Sequence, residues 1–254
     1  MPLHETEAFI LRTYTLKEAD KICVFLARDA GKLRGVAHGA RRLKSKYGAS
    51  LEPFTEVSIT YFQKETRELV SISNCEIIRS QFEAVTSSEM LAALHHLAKL
   101  VIEFLPDHEP NERVYRLIAA SMEALRQVPP DNPAVLVRYF EVWLLKLAGF
   151  FPEMQHCAGC GQKLEGEASA WLTAEGTPKC AACSNRLGEE WRAEVRRVIQ
   201  DILHQPPRSF VAVPHQARAL EQVKTLTRRL IERALERGVD SYEFLDRLKP
   251  EQVA

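Results

Sequence analysis

The sequence is short of several things that would settle its class at once. It has no excess of either charge, because Lys plus Arg and Asp plus Glu both total 34. Whole-chain charge therefore argues neither for nor against a polyanionic partner, and any such case must rest on local clustering. No stretch approaches the roughly 18 consecutive apolar residues of a membrane-spanning helix. Met1 to Glu7 lacks a basic segment leading into an apolar one, so no secretory signal is expected and the protein is expected inside the cell. There is no internal repeat and no low-complexity segment.

Motifs of catalysis are missing too. His4-Glu5 has no second histidine at metalloprotease spacing. No H-x-E precedes a PCxxC, as a zinc deaminase would need. No phosphate-binding glycine loop, nucleophile constellation or recognisable carboxylate pair stands out. Glu18 and Asp20 beside Lys21 read as barrel-surface charges or a turn-stabilising Asp rather than as acid and base. The expectation is a protein that is not an enzyme, with no catalytic residues.

What is present begins with β-structure. Phe9–Thr15, Ile22–Ala27 and Leu33–Ala37 are apolar, β-branched runs, and Asp29-Ala30-Gly31-Lys32 between the last two is a hairpin signal. Val57, Ile59 and Tyr61 alternate with Ser58, Thr60 and Phe62. A further strand runs from Val70 through Ile77, after a polar hairpin link over Gln63–Glu68. Short strands in this number suit a small barrel of OB or SH3 type, since closure removes exposed edges.

After Phe82 the period becomes helical. Ser87 or Ser88 can cap a helix carrying Leu91, Leu94, Ala98, Val101 and Leu105. A second helix bears Val114, Ile118 and Leu125 and stops at Pro129-Pro130. A third is expected with Asn132 as cap, Pro133 at its first position and Gly149 past its end. These three read as a bundle. Helical signal resumes over Glu189–Leu203, is broken at Pro206-Pro207, and continues over His215–Leu235. Ser241 can cap a short last helix through Leu248, and the Glu251–Ala254 tail is expected to fray.

Two CxxC units interrupt the helices, Cys157-Ala-Gly-Cys160 and Cys180-Ala-Ala-Cys183. Each CxxC turn aims two thiolates at one point, and the pair closes a tetrahedron with no open position, so Zn2+ there is structural. Gly159 and Gly161 permit the tight turn, and Trp171-Leu-Thr can supply a joining hairpin. A redox CxxC would need a βαβ setting that is absent. Cys23 and Cys75 fall in strands and read as small buried apolar residues.

The remaining feature is a basic segment. Lys21, Arg28, Lys32, Arg34, Arg41, Arg42, Lys44 and Lys46 share the stretch with one acid, Asp29. A local positive field on a neutral chain suits a phosphate-tracking surface. Tyr47 and Phe54 offer faces on which bases can stack. A solvated loop is the plain alternative.

At these residues the chain resembles the bacterial RecO family of recombination mediators and DNA-repair proteins. The resemblance is carried by Ala8-Phe9-Ile10-Leu11, Glu18-Ala19-Asp20-Lys21-Ile22, Ala30-Gly31-Lys32, Val36-Ala37-His38-Gly39-Ala40-Arg41-Arg42 and Leu51-Glu52-Pro53-Phe54. It continues through Val137-Arg138-Tyr139-Phe140-Glu141, Leu147-Ala148-Gly149-Phe150 and Pro152 into Cys157-Ala-Gly-Cys160-Gly161. At His38 the family often has Lys.

The resemblance implies an α+β multidomain chain: an N-terminal OB-fold β-barrel over 1–81, then an all-helical domain over 82–254 with a four-cysteine zinc-ribbon-like insert over 155–186. It implies binding of single- and double-stranded DNA and annealing of complementary strands, in the bacterial cytoplasm, at the nucleoid. It implies partnership with RecR and with the acidic C-terminal tail of single-stranded-DNA-binding protein, and help in loading RecA recombinase. Lys21, Lys32, Arg34, Arg41, Arg42, Lys44 and Lys46 are the expected DNA contacts. Arg138, and after it Arg228 and Arg229, are candidates for the partner tail, which needs an apolar pocket rimmed by cations. The rival reading is a zinc-ribbon adaptor binding RNA or protein in transcription or translation.

Overall fold

In the computed structural model, residues 2–63, 68–129, 132–164 and 170–247 are described. The expected link over 63–68 and the tail over 251–254 fall largely or wholly outside them. Contacts gather the chain into two compact units, 1–122 with 240–254, and 123–239.

The first unit is built on a closed barrel of β1 (Leu3–Leu16), β2 (Asp20–Ala27), β3 (Gly31–Ala37), β4 (Glu56–Phe62) and β5 (Leu69–Arg79), in spatial order β1-β2-β3-β5-β4. All pairings are antiparallel except β3 with β5, which is parallel. That order is the OB type of barrel. Along β4 the alternation seen in sequence becomes alternation in space: Val57, Ile59 and Tyr61 are buried, and Ser58, Thr60 and Phe62 less so. In β1 the period is lost because Ala8, Phe9, Ile10 and Leu11 are all buried. A register shift between Ile10 and Arg12 marks a bulge there, and Phe9 meets the Tyr115 ring at 4.9 Å. Both faces of this strand are therefore covered.

Helices α1 (Ser88–Phe104) and α2 (Glu112–Ala124) complete this unit with the last helix, α8 (Ser241–Arg247). Ser87 caps α1, its hydroxyl accepting the Met90 amide at 3.1 Å. Asn111 does the same for Val114 at 3.1 Å. Helix α1 packs on β1 and on α8, where His96 Nδ1 and Ser241 Oγ lie 2.8 Å apart and Lys99 pairs with Asp240. The segment after α1 passes so near the β2–β3 turn that a side chain at Gly31 would strike the Glu109 backbone. Gly31 also sits at φ +76°, so glycine is required twice over. The 81/82 line thus runs inside a compact unit that joins barrel and helices.

In the second unit α3 (Ala134–Leu147) packs on α5 (Ala193–His204), α6 (Pro207–Val211) and α7 (Ala217–Ala234). These are its partners in place of the expected bundle of three consecutive helices, since α1 and α2 lie in the first unit. Tyr139 donates its hydroxyl to Gln205 O at 2.9 Å, and Trp143 Nε1 donates to Ile202 O at 2.8 Å. Pro133, not Asn132, occupies the cap position of α3, and no side chain caps it. The helix ends as expected: Gly149 at φ +81° lets Phe150 N reach Leu145 O at 2.8 Å and Gly149 N reach Lys146 O at 3.2 Å.

Between α3 and α5 lies a small sheet of β6 (Ala170–Leu172), β7 (Pro178–Lys179) and β8 (Glu189–Trp191), in order β7-β6-β8, with α4 (Ala181–Ser184) between β7 and β8. The helix expected from Glu189 therefore starts only at Ala193. Glu189-Glu190-Trp191 is instead drawn into pairing with β6, and the Trp191 side chain is fully buried. Sheet pairing has overridden a helical local pattern.

Candidate metal centre and basic loop

The first cysteine knuckle folds on its own backbone. Cys157 N donates to Gln162 O at 2.8 Å and Gly161 N to Cys157 O at 2.9 Å, with Gly161 at φ +72°. The second knuckle starts at Cys180, immediately ahead of α4, and Ser184 N donates back to Cys180 O at 2.9 Å. Ala158 N donates to Pro178 O at 2.9 Å, tying the knuckles together. A side chain at Gly159 would come within 2.9 Å of Cys183 Cβ, so the spacer must be glycine for the knuckles to close.

The result is four sulfurs, of Cys157, Cys160, Cys180 and Cys183, all within 4.8 Å of one another. Cys160 Sγ and Cys180 Sγ lie 3.9 Å apart. Four thiolates each about 2.3 Å from a tetrahedral ion stand about 3.8 Å apart, so the group can hold a metal ion. The Gly159 and Cys180 amides point at Cys157 Sγ from 3.4 and 3.3 Å. Burial opposes ionisation of Cys157, but the amides of Cys180, Cys160 and Gly159 outweigh it and bring the thiol down to about 6. Cys183 is pushed up to about 12 because its thiol hydrogen-bonds to the other three sulfurs. Cys23 and Cys75 are buried in the barrel, as expected for packing residues.

The basic loop follows β3 and is held at its base by Asp20. Asp20 Oδ1 accepts the Gly39 amide at 2.8 Å, and Oδ2 lies 3.0 Å from His38 Nδ1. Arg41 is fastened by its backbone amide to Ala19 O at 3.0 Å, and by its guanidinium to the carbonyls of Lys17 and Glu18 at 3.0 and 3.1 Å. On the far side Tyr47 OH donates to Ile72 O at 2.8 Å, and Lys46 Nζ bonds to Ser73 O. Arg42 and Lys44, between these anchors, are exposed, as are Arg41 and Lys46, whose head groups are themselves bonded to backbone carbonyls.

The other expected contacts are placed differently. Arg34 is exposed but lies 3.8 Å from Asp107, and Lys21 is half-buried in β2. Lys32 is buried: its Nζ donates to Ile102 O at 2.6 Å and pairs with Asp107 at 3.0 Å. There it serves the packing of α1's C-terminal end, and its ammonium is not presented to solvent. Tyr47 and Phe54 are buried at 3% and 0% exposure, so neither offers a stacking face. Arg28, which shares the basic segment, is clamped between Glu7 at 2.8 Å and Glu112 at 3.0 Å.

The tail candidates also move. Arg138 is buried and pairs with the wholly buried Glu141 at 3.0 Å, while Thr227 donates to the same carboxylate at 2.6 Å. Arg228 pairs with Glu232 at 2.9 Å and Arg229 with Glu189 at 3.1 Å. A cavity of about 300 Å3 lies elsewhere in the second unit, walled by Phe151, Met154, Trp191 and Leu203, with Lys146 and Arg196 among its lining. The Nε1 of Trp191 is buried without a hydrogen-bond partner. No motif marks this cavity, because its residues come from α3, the segment after it, β8 and α5.

Among the described residues no helix is long and apolar enough to cross a membrane. Two family models match the chain, recombination protein O N terminal over residues 1–81 and recombination protein O C terminal over residues 86–243. The chain is 31% identical over 246 residues to a DNA repair protein RecO of Koribacter versatilis, covering 97% of this chain and 99% of that one. It is 29% identical to that of Geobacter metallireducens, covering 97% and 98%. A third similar protein, the DNA repair protein RecO of Cutibacterium acnes, is 34% identical over 63% of this chain and 67% of its own.

Proposed function

The chain belongs to the recombination protein O family, and from that premise we propose that it is a recombination mediator acting in DNA repair. It binds single- and double-stranded DNA and anneals complementary strands. With RecR it helps load RecA onto strands coated by single-stranded-DNA-binding protein. No bond is made or broken in this work, so the protein has no catalytic residues. It acts in the bacterial cytoplasm, at the nucleoid.

What carries this reading is the family match along nearly the whole chain, joined to an anchored loop of exposed cations on an OB-type barrel. Arg41, Arg42, Lys44 and Lys46, with Arg34 and Lys21 beside them in sequence or strand, neutralise backbone phosphates and release their counterions. That lowers the repulsion between two strands brought together. Sequence-independent binding of this kind suits a protein that must act at any break.

Cys157, Cys160, Cys180 and Cys183 would hold Zn2+, which would fasten the two knuckles to each other and steady β6 and β7 between them. Its role is structural, since four thiolates leave it no open position. The acidic, hydrophobic-ended tail of single-stranded-DNA-binding protein enters the cavity by Trp191. Support for this comes from the apolar walls and from the exposed Lys146 at the cavity, a cation of the kind that Arg138, Arg228 and Arg229 were expected to supply.

The test is fluorescence-monitored annealing of complementary oligonucleotides coated with single-stranded-DNA-binding protein. Faster annealing with this protein is the expected result. An unchanged rate sinks the mediator reading and favours a zinc-ribbon adaptor of RNA or protein.

A further inference from the structure

Leu43 stands at the centre of the basic loop, and its side chain is as exposed as an isolated residue's, at 103%. Among the described residues no other large apolar side chain approaches that value; Phe82 at 82% and Leu187 at 73% come next. A scattered surface leucine calls for no explanation. Leu43 differs from those two in its surroundings and in how it is held.

Its surroundings carry one sign of charge. Arg41, Arg42, Lys44 and Lys46 flank it, and no acid occurs from Gly39 through Leu51. Phe82 is followed by Glu83, and Leu187 by Glu189 and Glu190. At the loop base, Asp20 is engaged by Gly39 and His38, and Glu18 lies where its carbonyl accepts the Arg41 guanidinium at 3.1 Å.

The presentation is also fixed. Ser45 N donates to Arg42 O at 3.0 Å and closes a turn with Leu43 and Lys44 at its centre. Arg42 N donates to Gly39 O at 3.1 Å, where Gly39 takes φ +71°. The Asp20 and Tyr47 anchors lie on either side of that turn. The apolar tip is thus displayed before any ligand arrives, and little ordering is needed on binding.

We propose that Leu43 is a wedge that enters between neighbouring bases of a DNA strand while the flanking cations hold its phosphates. Bases offer apolar faces, and a short aliphatic side chain can part them at a modest cost in stacking. A polyanion with apolar faces along it is the partner whose chemistry matches one exposed leucine flanked by cations. The wedge deepens the mediator reading and rests on it. Unstacked bases are free to find their complements, so the same contact that binds a strand prepares it to anneal.

The experiment uses the full chain, its Leu43→Asn and Leu43→Phe variants, and oligonucleotides carrying 2-aminopurine, whose fluorescence rises on unstacking. The native chain is expected to raise that signal. Leu43→Asn is expected to abolish the rise and weaken binding about tenfold, the order of one leucine's burial. Its salt dependence stays native, because every cation remains. Leu43→Phe is expected to keep the signal. DNA binding by the native chain with Leu43→Asn indistinguishable in signal and affinity overturns the wedge alone. No DNA binding by the native chain overturns the mediator reading and the wedge with it. Leu43-dependent binding to vesicles of anionic phospholipid, without a Leu43 effect on DNA, assigns the tip to a membrane surface and also overturns the proposal.

Discussion

Asp20 holds Gly39: its Oδ1 accepts the Gly39 amide at 2.8 Å, while its Oδ2 faces His38 Nδ1 at 3.0 Å. One carboxylate at the start of β2 thereby fixes the first residues of the basic loop. The Gly39 amide foremost, and His38 after it, hold the Asp20 carboxyl below its ordinary value of 3.8. A depressed carboxylate stabilises the fold above its unfolded pKa and ceases to do so as pH falls through the folded one. Amide exchange at Gly39 is therefore expected to be slow above about pH 4 and to quicken below it, relative to other loop amides. Asp20→Ala, which removes the acceptor altogether, should show the quick rate at every pH. Slow exchange in the variant would mean the loop stands without this anchor.

Reversing the charge of Arg41 and Arg42 together, to Glu, should weaken binding of many DNA sequences alike. The slope of log affinity against log salt should fall by about two or more, since each lost phosphate contact removes about 0.9. Anisotropy titrations between low and physiological salt measure it. A native slope would move the DNA interface off this loop.

Lys32 should behave as a structural residue. Lys32→Met leaves Ile102 O and Asp107 without their cation and should cost about 1–3 kcal/mol in urea unfolding. DNA affinity at fixed salt should stay native. A drop in affinity with unchanged stability would return Lys32 to the DNA interface.

Arg138→Met should be severe, because it takes the buried cation away from the wholly buried Glu141 carboxylate. The expected loss is about 3–5 kcal/mol. Replacing both, as Arg138→Met with Glu141→Leu, should recover much of it. A partner-tail role for Arg138 would instead lower peptide binding at unchanged stability.

Purified under non-chelating conditions, the native chain should carry about one zinc, measured by atomic absorption. Cys157→Ser should carry none, and its second unit should melt earlier. A metal-free native chain with four freely reactive thiols would mean that the knuckles close without an ion.

Apart from the Asn132 cap, whose place Pro133 takes, the local signals survived where a single element decides the outcome. The alternation of Val57, Ile59 and Tyr61, the Ser87 cap, the Gly149 terminus and the spacing within each CxxC unit all depend on residues within a few positions of one another. They were legible because backbone preference, side-chain period and knuckle geometry act over that range. The same holds for Asp20, already readable as a turn-stabilising residue. Where two distant segments meet, the local pattern lost. Glu189-Glu190-Trp191 has the composition of a helix start but pairs with β6. Tyr47 and Phe54 have the faces of base-stacking residues but fill the interior of the first unit.

Residue order alone thus carried most of the strand and helix inventory, the four thiols that can hold a metal ion, the stretch in which positive charge collects and the family. Which of those charges face outward was left to the packing. Lys32 and Arg138 look like Arg42 in composition, yet burial against Ile102 O and Glu141 removes them from any surface. A charge's availability depends on desolvation and on partners brought from other parts of the chain, and neither is written in its neighbours along the sequence. The basic loop keeps Arg41, Arg42, Lys44 and Lys46 exposed, and its tertiary anchors add what composition could not announce, Leu43 held out at the tip.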